Sequence, residues 1–576
     1  MTHHGDGFAG SEAHWLGSEI ELLSSDAGFT PKQAAEMRRL TEALANAVFS
    51  EKETCLRISA AEDLAFLCEL SKNTNPIISS EPNARTPLIL DIETVTNAPT
   101  LYFRKHFAEE CFIARTVRAA ANAPEAPISP LQENIIDAGT KDGFGFALAD
   151  EQKNAVRAIL RRQFTIISGG PGTGKTSLLL RALIGILAEN PEASIEIAAP
   201  TGKAANRIQE SITKQFSEID DGKLIATATK NVREKISKIV PKTLHRLLSL
   251  SAGTTRPKPI LADVVIIDEA SMISQNLMAT LLSALPAHAK LILLGDKNQL
   301  DSVQPGHVFG DFYNAPALSR SRASLVKSHR FNDDNFVGQL SAAVLDGKNE
   351  KIPNLLSRAP ENTTVEYCDE ASAREQIERV LHLCLPAELK NPSPDIDPKT
   401  ILHALESSRV LTPSTEGVFG VHALNAAAQK IFAPASRGEH FHGRPILVTQ
   451  NAPEFSLSNG DVGLILRSPE NFNFYAWFQD GNGEARSIPV VLLPKHETAY
   501  AMTIHKSQGS EFSRLGIFFP KNTRPGFYTR QLLYTAITRF KETPQSRLCF
   551  CCDPESVASA VSSDAQSHSL LPARLK

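Results

Sequence analysis

The sequence predicts an α/β protein built on parallel-sheet lobes, and three observations carry that expectation. Residues 164–177 read Phe-Thr-Ile-Ile-Ser-Gly-Gly-Pro-Gly-Thr-Gly-Lys-Thr-Ser, an apolar run that stops at two glycines and passes at once into an apolar helical stretch. Further apolar runs at 195–199, 264–267 and 291–294 each end in polar residues, as buried parallel strands do when ligands collect at their carboxyl ends. The second half repeats the pattern at 409–412, 515–519 and 547–551. With 576 residues the chain exceeds one core, so three or four domains are expected.

Bulk properties narrow the partners. A net charge of -4 gives no global field toward nucleic acid, so such a site must be a local groove or be completed by a partner. No apolar run reaches the ~20 residues of a membrane span. Residues 1–20, with His3, His4, Asp6 and Glu12, lack the basic and apolar regions of a signal peptide. The expected location is the cytoplasm, with no membrane partner and reduced cysteines. Cys549, Cys551 and Cys552 cluster in a strand-like run, which suits core packing better than chelation.

In chain order, residues 1–20 read as loose and 31–48 as a helix opened by Pro31. A strand and helix over 53–70, a β-element at 86–91 and 101–104, and a helix over 104–121 complete a small domain, 1–120, for packing or docking. Pro124, Pro127 and Pro130 mark a linker, 121–145. The helix beginning at 148 carries Gln152, whose amide both donates and accepts and so can pair with an adenine edge.

Gly169, four free positions, then Gly174, Lys175 and Thr176 fit the phosphate-loop pattern without a mismatch. Glycines let backbone N–H groups turn inward around phosphate, and the helix N-terminus adds its positive end. Lys175 can reach the β- and γ-phosphates, and Thr176 can offer its hydroxyl to Mg²⁺, so ATP and Mg²⁺ are the expected cofactors. Thr201 and Lys203 follow the second strand. Residues 222–242 hold Lys223, Lys230, Arg233, Lys235, Lys238 and Lys242, either a solvated face or a phosphate contact, and lead into Thr243 and His245. Asp268 and Glu269 end the third strand. They suit a metal-orienting acid and a water-polarising acid, or more plainly two acids capping the next helix. Gln299 ends the fourth strand, and Arg330 follows in Ser-His-Arg-Phe.

Residues 438–497 differ in texture: short strands separated by turn residues suggest a small barrel inserted in the second lobe. Its aromatics, Phe472, Phe474, Tyr475, Trp477 and Phe478, either fill that barrel or stack on bases. Residues 553–576 read as a frayed tail, 561–576 above all.

Taken together, the ordered motifs resemble those of superfamily-1 DNA helicases. They are the Gln152 helix, Gly-Gly-Pro-Gly-Thr-Gly-Lys-Thr, Ala-Pro-Thr-Gly-Lys-Ala-Ala, Thr-Leu-His-Arg, Ile-Asp-Glu-Ala-Ser, Gly-Asp-Lys-Asn-Gln, Ser-His-Arg-Phe, 502–512 and 533–539. The form closely resembles the RecD family, the α subunits of exodeoxyribonuclease V (the RecBCD enzymes), through 459–463, 496–509 and 86–90. The resemblance implies two RecA-like P-loop NTPase lobes. The first would be 146–332, with a small insertion at about 215–242; the second would be 333–437 with 498–560, interrupted by an SH3-like β-barrel at 438–497; and 1–120 would dock a partner.

Residue by residue, the resemblance implies that Gln152 recognises adenine and that Gly169, Gly170, Pro171, Gly172, Thr173, Gly174, Lys175 and Thr176 form the phosphate loop. Asp268 and Thr176 would hold metal, Glu269 activate water, Gln299 sense the γ-phosphate, and Arg330 and Arg539 stabilise its charge from opposite lobes. Glu511 would meet the nucleotide sugar. Thr201, Lys203, Thr243, His245, Thr503, His505 and Lys506 would line a single-strand track. The implied activity is ATP-driven 5′→3′ travel on single-stranded DNA at a duplex end, beside RecB-like and RecC-like subunits in a heterotrimer, with no nuclease site in this chain. Two alternatives stay open: a stand-alone helicase of the same branch, and a P-loop switch or DNA-binding module without translocation. Arg539 and residues 502–512 argue against the second.

Overall fold

The phosphate-loop strand, Phe164–Gly169, lies inside a six-stranded sheet whose order is Arg322–Leu325, Phe164–Gly169, Lys290–Gly295, Val264–Ile267, Ile195–Ala199, Lys242–Thr243. Every neighbouring pair is parallel. The strands are apolar on both sides because both faces are covered. Ile167, Ile197, Ile266 and Leu294 join one core, and Ile166, Val265, Ile267 and Leu293 the other. A second parallel sheet has the order Thr363–Tyr367, Arg547–Cys552, Arg514–Phe519, Ser408–Thr412, Ala501–Thr503. These are two RecA-like lobes. In the computed structural model the described residues are 5–72, 75–92, 99–140, 144, 146–217, 226–250, 256–328, 335–436, 438–480, 483–522, 527–563 and 569–576. Among them no helix is long and apolar enough to cross a membrane.

Between helix Val421–Phe432 and strand Ala501–Thr503, an antiparallel sheet runs Ala485–Pro489, Phe474–Gln479, Val462–Arg467, Arg444–Val448, His496–Thr498. Of its aromatics, Phe478 is buried in the sheet's own core and Phe472 is exposed in a left-handed turn (φ 59°). Trp477 packs against the second lobe. A smaller mixed sheet, Leu56–Arg57, Thr100–Phe103, Leu88–Asp91, Ile78–Ser79, forms the N-terminal unit. Cys549, Cys551 and Cys552 are buried free thiols.

Three expectations are corrected. Residues 5–20 are not loose: a helix spans Gly5–Asp26 and packs on helix Pro31–Phe49, while 1–4 lie outside the described residues. Its buried stripe is Ala13, Gly17, Ile20 and Ser24, in which Ile20 alone is a large apolar residue, too little to register as an apolar pattern. Arg38 clips the pair, donating to Glu21 at 2.8 Å and Glu42 at 2.9 Å. Nor do the described residues of 121–145 form a linker. Ser129 caps helix Pro130–Asp137, and the Gln132 amide donates to the Gly185 carbonyl at 3.2 Å. Buried Arg181 donates to the Ile135 carbonyl at 2.8 Å and sits 3.5 Å over the Phe144 ring. Here proline opens a helix instead of marking a linker. The described residues of the tail, 553–563 and 569–576, are not frayed either. Helix Pro554–Ser562 packs on the second lobe, and Leu570, Leu571 and Leu575 are buried beyond it. In the segment expected as an insertion, helices Gly202–Ser217 and Ala226–Ser237 lie on either side of 218–225, which are outside the described residues.

Candidate nucleotide and nucleic-acid sites

Gly172 (φ 75°) and Gly174 (φ 80°) take left-handed backbone that an L side chain resists, and so bend the loop into the N-terminus of helix Lys175–Glu189. Lys175 is folded back, its Nζ 2.5 Å from the Gly169 carbonyl and 3.3 Å from that of Gly170. The loop faces a cleft of about 260 Å³ whose lining joins Lys175, Thr176, Asp268, Glu269 and Gln299 of the first lobe to Glu511 and Arg539 of the second. A glycine-bent loop, a lysine whose hydrogen-bond partners among the described residues are two loop carbonyls, and a helix N-terminus fit a polyphosphate. The Thr176 hydroxyl and the Asp268 carboxylate are hard oxygen donors that fit Mg²⁺.

Asp268 accepts from the Glu269 backbone N–H at 2.8 Å. Burial, and then the Glu269 charge, push its carboxyl upward, which a cation at the site would reverse. Arg539 is buried at the cleft wall, donating to the Thr535 and Ser510 carbonyls at 3.2 and 3.1 Å. Glu511 faces Arg207 at 3.8 Å across the lobes. Arg330 lies outside the described residues.

Gln152 departs from the adenine reading. Its Oε1 accepts from the Ala149 N–H at 3.0 Å, and its Nε2 donates to the Thr173 carbonyl at 3.0 Å. The amide caps its own helix and holds the phosphate loop with one N–H and one lone pair left over, and Gln152 is not among the residues lining the cleft.

A second cleft, about 230 Å³, gathers Thr201, Thr243 and His245 of the first lobe with His505, Lys506 and Gln508 of the second and Asn451 and Asn459 of the inserted sheet. Burial pushes the His505 imidazole down to about 4, with the Lys52 charge acting in the same direction, so the ring is neutral at physiological pH. Lys506 pairs with Glu497 at 2.6 Å.

Two expected members of this group are not among the residues lining this cleft. Thr503 lies next to it, its hydroxyl oxygen accepting from the Lys506 N–H at 3.3 Å. Lys203 lines a larger cleft, about 1070 Å³, with Arg207, Glu406 and Asp461, where burial pushes its ammonium down to about 8. Positions two apart at a helix start face different sides, so Thr201 and Lys203 cannot share one wall. Sequence reasoning passed over Asn451, Gln508, Asp296 and Tyr534. Of these, Gln508, Asp296 and Tyr534 lie inside the quoted motifs, while Asn451 had no local signal.

The chain matches the family model described as AAA domain over residues 147–362, and the UvrD-like helicase C-terminal domain over 498–543. The RecBCD enzyme subunit RecD of Mycolicibacterium smegmatis is 32% identical over 459 residues, 77% of this chain and 76% of that protein. RecD of Haemophilus influenzae is 31% identical over 452 residues, 68% of each chain. The ATP-dependent RecD2 DNA helicase of Deinococcus radiodurans is 25% identical over 501 residues, 84% of this chain and 58% of that protein.

Proposed function

The chain belongs to the RecD family of RecBCD enzyme subunits, and we propose from that premise that it drives 5′→3′ travel on single-stranded DNA at duplex ends. The protein is an ATP-dependent DNA helicase subunit. The observation that carries the mechanism is that residues from both lobes line both clefts. Closing the lobes on ATP therefore regrips a strand lying in the second cleft, and reopening releases one grip before the other.

Within that reading, the loop amides and Lys175 hold the phosphates, and Glu269 polarises the attacking water. Arg539 places positive charge where the transferred phosphoryl group gains negative charge. Thr176 and Asp268 would hold Mg²⁺, which when bound neutralises phosphate charge. Thr201, Thr243, His245, His505 and Lys506 line the strand track. Residues 438–497 act as an SH3-like module beside that track, and 1–120 as the docking unit for RecB-like and RecC-like partners in the cytoplasm. Arg330 supplies the second arginine. The stand-alone reading is not favoured, since RecD2 is matched over 58% of its length and RecD over 76%. Lys175→Gln is expected to abolish DNA-stimulated ATP hydrolysis; normal turnover in that variant would sink the assignment.

A further inference from the structure

One hydrogen-bonded group joins the lobes at the rim of the nucleotide cleft. Tyr534, on second-lobe helix Arg530–Ile537, donates its hydroxyl to Asp296 Oδ2 at 3.1 Å. Asp296 is buried directly after first-lobe strand Lys290–Gly295, and its Oδ1 accepts from the Asn298 N–H at 3.0 Å. The same Oδ2 accepts from Gln299 Nε2 at 3.2 Å. Two donors on one carboxylate oxygen fix the Gln299 amide, because a carboxylate accepts only from its nitrogen edge. The other edge, Gln299 Oε1, is buried and has no hydrogen-bond partner among the described residues, and Gln299 lines the cleft. Tyr534 also sits against the phosphate loop: a Cβ on Gly170 would lie 3.0 Å from its hydroxyl. The neighbouring Thr535 hydroxyl accepts from the Leu300 N–H at 3.0 Å, so the helix grips both sides of Gln299.

We propose that Tyr534 is a positioning residue for ATP hydrolysis: through Asp296 it holds Gln299 with its carbonyl oxygen, not its nitrogen, toward the nucleotide. The inference rests on the cleft being the ATP site. A carbonyl oxygen and a phosphate oxygen both accept and cannot bond one another, whereas a carbonyl accepts well from water. Gln299 in this orientation holds the attacking water beside Glu269 instead of sensing the γ-phosphate. Because the tyrosine comes from the opposite lobe, the acceptor is aimed only while the lobes are closed. On opening, Asp296 loses a donor and the amide is free to turn over.

The test is Tyr534→Phe in the full-length chain, which removes the hydroxyl and keeps the ring. The expected result is a fall of about tenfold in kcat for DNA-stimulated ATP hydrolysis, the worth of one hydrogen bond to a charged group, with KM for ATP and DNA affinity unchanged. In a Gln299→Ala background the same change is expected to add nothing, because the tyrosine acts through the glutamine. Asp296→Asn, of the same shape, should reproduce the kcat loss. Unchanged kcat in Tyr534→Phe, a rise in KM in place of the kcat loss, or losses that multiply in the double variant would each overturn the proposal while leaving the ATP site standing. A parent protein with no DNA-stimulated hydrolysis would overturn both.

Discussion

Arg574 and Glu110 stand 464 positions apart and meet at 2.7 Å, guanidinium Nε to carboxylate Oε1, where Glu110 is fully buried. Arg574 also pairs with Asp91, and Glu110 accepts from the Tyr102 hydroxyl at 3.1 Å. Beside this group, Leu571 and Leu575 share a core with Ile113 and Phe309, so the segment after the second lobe ties the N-terminal unit to the first. Removing one partner of a buried pair strands the other charge. Arg574→Ala is therefore expected to cost about 3–5 kcal/mol of stability, read by denaturant unfolding of the full chain. A variant within 1 kcal/mol of the parent, at about the level of an exposed pair, would show that the contact does not organise the unit.

That tie also marks the limit of what the sequence could convey. Parallel strands with ligand residues at their ends were legible because each is a local apolar run, and so were the phosphate loop and the acids Asp268 and Glu269. Helix Gly5–Asp26 was not, since its contact stripe is built of Ala13, Gly17 and Ser24 beside a single Ile20. The Arg574 segment was not, since its meaning lies in Glu110 and Asp91. In the strand cleft, the local motifs supplied His245 and His505, while Asn451 arrives only through the folding of the inserted sheet.

Gln152 now has two roles to separate. If it holds the phosphate loop through Thr173, Gln152→Glu keeps the acceptor that caps the helix but loses the donor to the loop. The expected outcome is a KM for ATP raised roughly tenfold, with preference for ATP over GTP unchanged, from loss of one buried hydrogen bond. Loss of ATP-over-GTP preference in steady-state assays would restore the adenine role.

His505 makes stability depend on pH. Its imidazole titrates near 6.5 in the unfolded chain and about 4 in the folded one, so between these values the unfolded state binds the proton and the folded state does not. Its contribution to stability is intact above 6.5 and is lost as pH falls toward 4, with a slope of up to about 1.4 kcal/mol per pH unit. His505→Gln is expected to flatten that part of the stability profile, measured by denaturant titration at several pH values without DNA. An unchanged slope would mean that the ring is charged in the fold.

Glu269 and Lys175 should fail in different ways. In the proposed mechanism Lys175 contacts phosphate already in the ground state, so Lys175→Gln should lose nucleotide binding as well as turnover. In the same mechanism Glu269 acts on the water and bears on the phosphates only through the transition state. Glu269→Gln is expected to bind ATP about as tightly as the parent while kcat falls roughly 10²–10⁴-fold, the usual span for a general base. Its backbone supports that separation: Glu269 sits at φ 51° with its N–H bonded to Asp268, a geometry the amide can keep because Cα and Cβ are unchanged. Equilibrium binding of a fluorescent ATP analogue, set beside steady-state hydrolysis with single-stranded DNA, reads both quantities. If binding and turnover fell together, Glu269 would be shaping the loop and the water would be held by another group.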